Sequence, residues 1–244
     1  MRNIKLEIQY DGTNYYGWQI QPDKRTIQGE IKAKLELFLR EKIKLIGASR
    51  TDKGVHAKHQ VANFKTGSDF SPEEIQYRLN QLLDPDIVIK NAEEVEKKFH
   101  ARFWAKRKTY RYYIFNSELP SPFYRNYSLH FPGKIDIDLL NELSNQLVGK
   151  KDFKAFQGGS SDMKNTEREI FEAFWIRKDN FFIFKITGSG FLKNMVRKIV
   201  GSLLAVNDKL EEEDFILELL ETKDRKRAKY MAPPHGLFLE KIIY

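Results

Sequence analysis

From residue 4 to residue 10 the chain alternates Ile4, Leu6, Ile8 and Tyr10 with Lys5, Glu7 and Gln9, the period of a strand with one face buried. The run ends at the turn pair Asp11-Gly12. From Thr26 the pattern changes to helical spacing, with Ile27, Ile31, Leu35 and Phe38 on one stripe and Thr26 as N-cap. Short apolar runs at 43–46 and 61–64 read as strands on either side of GASRTDKGVHA. Ser71-Pro72-Glu73-Glu74 is a capping box with proline in the first turn, and it starts a second helix running to about Leu83. A strand at 87–95 completes the order strand, helix, strand, strand, helix, strand.

The second half repeats this order. A strand is predicted at 109–115, a helix capped by Asp136 and stopped near Gly149, and strands at 170–177 and 181–187. A helix at 191–206, a shorter one at 211–220 and a last strand at 237–242 follow. This pattern predicts an α+β protein of two similar domains, 1–103 and 104–244, each a mainly antiparallel sheet with helices on one face. No low-complexity linker separates the halves, so a cleft between them is the expected place for a site.

Composition narrows the chemistry. Among 244 residues, 42 Lys and Arg face 34 Asp and Glu, a net charge of +8 that favours a polyanionic partner, nucleic acid first. The absence of cysteine removes disulfides, thiolate catalysis and Cys-based zinc sites, and fits a reducing compartment. The first residues, MRNIKLEIQYDG, have no apolar signal core, and no run approaches the roughly 20 apolar residues of a membrane span. A soluble, cytoplasmic protein is expected.

Several common motifs fail. Gly188-Ser189-Gly190 precedes a helix, but position 193 is Lys where a dinucleotide loop needs its third glycine, and no GxxxxGK, HExxH or GxSxG is present. His56 and His59 lack the further ligands of a metal site, and no metal is expected.

Three segments carry chemistry. Asp52 lies in the loop after a short apolar strand, between Arg50 and Gly54, where turn formation alone would also explain an aspartate. In 99–116, Arg102, Lys106, Arg107, Lys108 and Arg111 interleave with seven aromatic residues, the combination in which cations track phosphates and ring faces stack on unpaired bases. Alternation puts Tyr110, Tyr112 and Ile114 on one strand face and Arg111, Tyr113 and Phe115 on the other. In FLKNMVRKIVG, the stripe Leu192, Met195, Val196, Ile199 and Leu203 faces a core while Arg197 points off it. Solvation is the ordinary fate of such an arginine; one turned into a cleft would keep a carboxylate ionised and oriented.

Taken in order, YDGTNYYGWQIQP, GASRTDKGVHA, FHARF with KTYRYYI, DFKAFQ, FLKNMVRKIVG and GLFLEKI resemble the tRNA pseudouridine synthase A family over nearly the whole chain. The region 158–165 departs from that pattern. The resemblance implies Asp52 as catalytic carboxylate, Tyr110 stacking near the target base and Arg197 paired with the acid. It implies RNA contacts at Arg50 and along Phe99, His100, Ala101, Arg102 and Phe103; the basic and aromatic run itself puts Lys106 and Lys108 on the expected phosphate track. It further implies two domains flanking a basic active-site cleft, a homodimer, and action on uridines at positions 38–40 of the tRNA anticodon stem-loop without any cofactor.

Two other readings compete on the residues alone. One is a non-catalytic RNA-binding module, against which no RNP1-type run is present. The other is an RNA-modifying enzyme using a methyl donor or a metal, against which the glycine motif and ligand cluster are missing.

Overall fold

A computed structural model describes residues 1–159 and 165–244. The chain divides into two compact units, one of residues 1–106 with 238–244 and the other of residues 107–237. Both are α+β.

In the first unit the order is β1 (Arg2–Tyr10), α1 (Ile27–Leu39), β2 (Ile46–Gly47), β3 (His56–Thr66), α2 (Pro72–Leu82) and β4 (Ile87–Val95), with β10 (Leu237–Ile243) returning from the far end of the chain. Strand β1 pairs antiparallel with β3 on one side and β4 on the other. β2 adds antiparallel to β3, and β10 runs parallel to it, Phe238 opposite His56. Ile4, Leu6 and Ile8 from β1, Ile27, Ile31 and Leu35 from α1, and Ile75 and Leu79 from α2 are fully buried. Truncating one of these leucines or isoleucines to alanine costs about 2–5 kcal/mol.

In the second unit β5 (Arg107–Phe115) is followed by β6 (Leu129–His130), α3 (Ile137–Asn145), β7 (Gly149–Asp152), β8 (Glu167–Lys178), β9 (Phe181–Gly188), α4 (Met195–Asn207) and α5 (Phe215–Thr222). The antiparallel ladder runs β5, β9, β8, β7, and β6 lies parallel to β5. Helices α3 and α4 cover it with Leu140, Leu143, Met195, Ile199 and Leu203, against Phe184, Ile186 and Trp175 of the strands.

The predicted caps form as read. Thr26 accepts from the Gly29 amide, Ser71 and Glu74 close the reciprocal capping box, and Asp136 accepts from the Leu139 amide. Five expectations change. The 43–46 run is not a ladder except at its end, because side chains of α1 satisfy its backbone: Glu36 accepts from the Ile43 amide and Gln28 donates to the Leu45 carbonyl. Strand β3 begins five residues before Val61, and its burial is nearly continuous. Helix α4 starts at Met195 because Asn194 sits in the left-handed region at φ 61°, a conformation asparagine tolerates. Helix α5 starts at Phe215, since Glu211 is drawn into a part-buried ion cluster with Arg227 and Tyr230. The terminal strand, read from sequence with the second half, hydrogen-bonds in the first, a pairing that no local pattern encodes.

Candidate active site

Asp52 sits in the loop that joins β2 to β3, and that loop is fastened through its backbone. The Ala48 amide donates to the Val61 carbonyl, after which the Gln60 side chain replaces the ladder. Its amide nitrogen donates to the Ser49 carbonyl at 2.7 Å and its oxygen accepts from the Ser49 amide at 3.2 Å. Residues 52–55 then close a turn, Val55 amide to Asp52 carbonyl at 3.2 Å. Gly54 supplies the φ of +76° that the third turn position requires.

The segment after β1 packs on the other side of this loop. The Trp18 amide donates to the Thr51 carbonyl at 3.2 Å and the Gly54 amide to the Tyr15 carbonyl at 3.3 Å. Tyr10 and Thr51 share a hydroxyl–hydroxyl bond of 2.8 Å. Two glycines allow this approach. A Cβ on Gly12 would stand 2.0 Å from the Val55 carbonyl oxygen, and one on Gly17, at φ +86°, 2.4 Å from that of Thr51. The same segment anchors α1, whose Ile27 and Gln28 amides donate to the Gly17 and Trp18 carbonyls. At the loop's exit, His56 Nδ1 accepts from the Gly12 amide at 3.1 Å, and its ring stacks on Phe238 at 4.6 Å. His59 Nδ1 accepts from the Ile242 amide. Both histidines therefore spend a ring nitrogen on the backbone.

The result is a half-buried Asp52 whose main chain is fixed while Arg50 and Lys53 face solvent. Lys53 Nζ lies 4.3 Å from the Tyr16 ring centroid and Lys24 Nζ 4.9 Å, so an exposed aromatic face stands between two cations beside the Asp52 loop. Sequence reasoning missed Tyr16 and Lys53. The glycines of YDGTNYYGW that bring the segments together are the signal that could have found them. Tyr15, next to Tyr16, is fully buried, and burial raises its phenol to about 12, partly offset by Arg25, which stacks over the ring at 4.6 Å.

The FHARF segment is held by two buried asparagines. Asn63 donates to Asn3 and accepts from the Ala101 amide at 2.9 Å, while Asn3 donates to the Glu96 and Phe99 carbonyls. Tyr244 closes the other side by donating to the Ala101 carbonyl at 2.8 Å. Phe99 and Ala101 consequently turn inward, Phe99 packing against Trp104 and Tyr244. His100 accepts from the Arg102 and Phe103 amides, and Arg102 and Phe103 project outward, Phe103 being 74% exposed. Lys106 is also exposed.

Tyr110, Lys108 and Arg197 belong to the second unit. Tyr110 is buried on β5, with its ring edge-on to Phe191 at 5.1 Å. Lys108 is half-buried. Arg197 is not a solvated arginine: it is 9% exposed, and its Nε donates to the Ala232 carbonyl at 2.8 Å while its own carbonyl accepts from the Ala232 amide. The neighbouring Tyr112 donates to the Pro233 carbonyl at 2.9 Å. Burial pushes that phenol up, and the Arg197 guanidinium acts in the opposite direction. Gly236 makes room, since a Cβ there would meet Tyr112 Cζ at 2.7 Å. Ala232 thus holds Arg197 through both its side chain and its main chain. Of the divergent region 158–165, residues 160–164 lie outside the described residues.

The tRNA pseudouridine synthase family pattern matches residues 7–104 and 143–244. A tRNA pseudouridine synthase A from Acetivibrio thermocellus is 45% identical over 244 residues, with all of both chains covered. A tRNA pseudouridine synthase A from Thermoanaerobacter sp. is 43% identical, and a tRNA pseudouridine synthase A 2 from Clostridium perfringens 44%, each again over all of both chains. The chain belongs to the tRNA pseudouridine synthase family.

Proposed function

We propose that this chain isomerises uridine to pseudouridine at positions 38–40 in the anticodon stem-loop of tRNA, with Asp52 as the essential carboxylate. The backbone clamp on the Asp52 loop carries the reading. Buried hydrogen bonds and close glycine contacts serve to hold the loop of one half-buried acid still, which is what preorganised catalysis requires and what a turn-forming aspartate does not.

The reaction breaks the uridine N1–C1′ bond, turns the base and joins C5 to C1′, after which the hydrogen on C5 leaves to solvent. Nothing is oxidised or reduced, so the rearrangement calls for no redox cofactor. Asp52 attacks the sugar or the base, or assists loss of the ribose 2′ proton; each route divides one difficult step into easier ones. The target nucleotide first leaves the stack at a cost of a few kcal/mol, which pocket contacts offset.

In this proposal Tyr110 stacks on the extruded base and Arg197 keeps the acid charged and oriented. Lys53 and Tyr16 join Arg50, Arg102, Phe103, Lys106 and Lys108 in holding RNA, while Phe99, His100 and Ala101 shape the segment that presents Arg102 and Phe103. The active form is a cytoplasmic homodimer. The test is release of tritium from unmodified tRNA labelled at uridine C5, using purified protein. Steady release with pseudouridine at 38–40 is expected; binding without release would leave only an RNA-binding protein.

A further inference from the structure

Besides the Asp52 loop, the second unit holds a basic cavity of about 510 Å³ between α4, residues 154–159 and the turn after α5. Lys154, Lys198, Lys223, Arg225 and Lys226 line it, with Asp224 as the only carboxylate on its wall among the described residues. Lys223 is offset by Asp152 at 3.0 Å. Among the described residues the two more enclosed cations are not. Lys198 Nζ donates to two main-chain carbonyls, Ala155 and Arg225, each at 3.4 Å, and Arg225 donates to the Gly158 carbonyl at 2.9 Å. Among the described residues neither forms an ion pair. Desolvation, and then the charge of Arg225, holds the Lys198 ammonium below its usual range.

Two like charges kept together in a half-buried pocket, the ammonium bonded to carbonyls only at the long end of hydrogen-bond distance, form a costly arrangement unless an anion completes it. A phosphoryl oxygen accepts from both a guanidinium and an ammonium and cancels their repulsion. Lys198 follows Arg197 by one position on α4, about 100° further round the helix, so the two side chains serve different surroundings: Ala232 for Arg197, residues 155 and 225 for Lys198.

We propose that this pocket binds a backbone phosphate of the tRNA, outside the nucleotide being isomerised. The proposal rests on tRNA being the substrate. The exposed Lys154 and Lys226 extend the positive surface beyond the enclosed pair, as a polymeric anion requires and a free phosphate does not.

The test compares wild type with K198Q/R225Q and with the surface variant K154Q/K226Q. Each is read by affinity for unmodified tRNA as a function of salt, by tritium release, and by melting temperature with and without inorganic phosphate. Abolishing the bond to one phosphate makes the slope of log K against log salt shallower by about 0.7–0.9. K198Q/R225Q should show that change; if it fails to fold, K154Q/K226Q should show the same direction. Unchanged slopes in folded variants overturn the pocket, even while wild type releases tritium. A phosphate-dependent rise in wild-type melting temperature that the variants lose, with tRNA slopes unchanged, assigns the pocket to free phosphate and overturns it for tRNA. A pocket-dependent tRNA slope in a wild type that releases no tritium supports the pocket and removes the isomerase instead.

Discussion

The α-carbon of Gly17 lies against the carbonyl of Thr51, so close that a methyl group there would stand 2.4 Å from the oxygen. Because Thr51 precedes Asp52, this contact sets the position of the carboxylate from behind. Gly17→Ala adds both the clash and an unfavourable positive φ, for about 1–3 kcal/mol of lost stability. Its larger effect falls on catalysis. We expect kcat to drop at least tenfold while tRNA affinity stays within a few-fold of wild type, as measured by single-turnover tritium release and filter binding.

Asn63 holds the FHARF segment through the Ala101 amide and the Asn3 side chain. Asn63→Leu leaves those buried groups without their partner, costing about 1–3 kcal/mol. Loosening Arg102 and Phe103 should weaken tRNA binding several-fold and raise KM more than it lowers kcat. A loss confined to kcat would separate this segment from RNA.

Tyr15 gives a pH signature. Its phenol is raised from 10 to about 12, so the folded chain holds a proton that the unfolded chain releases. The stability this represents is complete below pH 10 and declines as pH rises from 10 through about 12. Its buried hydroxyl has no hydrogen-bond partner among the described residues. Tyr15→Phe should therefore leave the melting temperature at pH 7 equal or higher, and flatten its fall between pH 10 and 12, in a series of thermal melts. An equally steep fall in the variant would contradict the assignment.

The elements governed by neighbouring residues were legible in the sequence: Thr26, Ser71 and Asp136 announce their helices because a cap acts within three positions. The candidate acid was legible too, from GASRTDKGVHA. What holds it was not. Gln60 bonding back to Ser49, Asn63 reaching Ala101, and β10 lying beside β3 join residues far apart in the chain. The burial of Arg197 escaped the helical pattern for a related reason, since its distance from the apolar stripe says nothing of the 232–236 segment that covers it. Tyr16 and Lys53 likewise meet through space, once two glycines have folded one loop onto the other.

The proposed isomerisation turns on one carboxylate. The loop around Asp52 is built from backbone contacts, through the carbonyls of Ser49, Thr51 and Asp52, so Asp52→Asn should fold and melt as wild type. Tritium release from C5-labelled tRNA by this variant is the direct measurement. Bound tRNA and no release above the protein-free background are expected; turnover at an appreciable fraction of the wild-type rate would remove Asp52 from the chemistry.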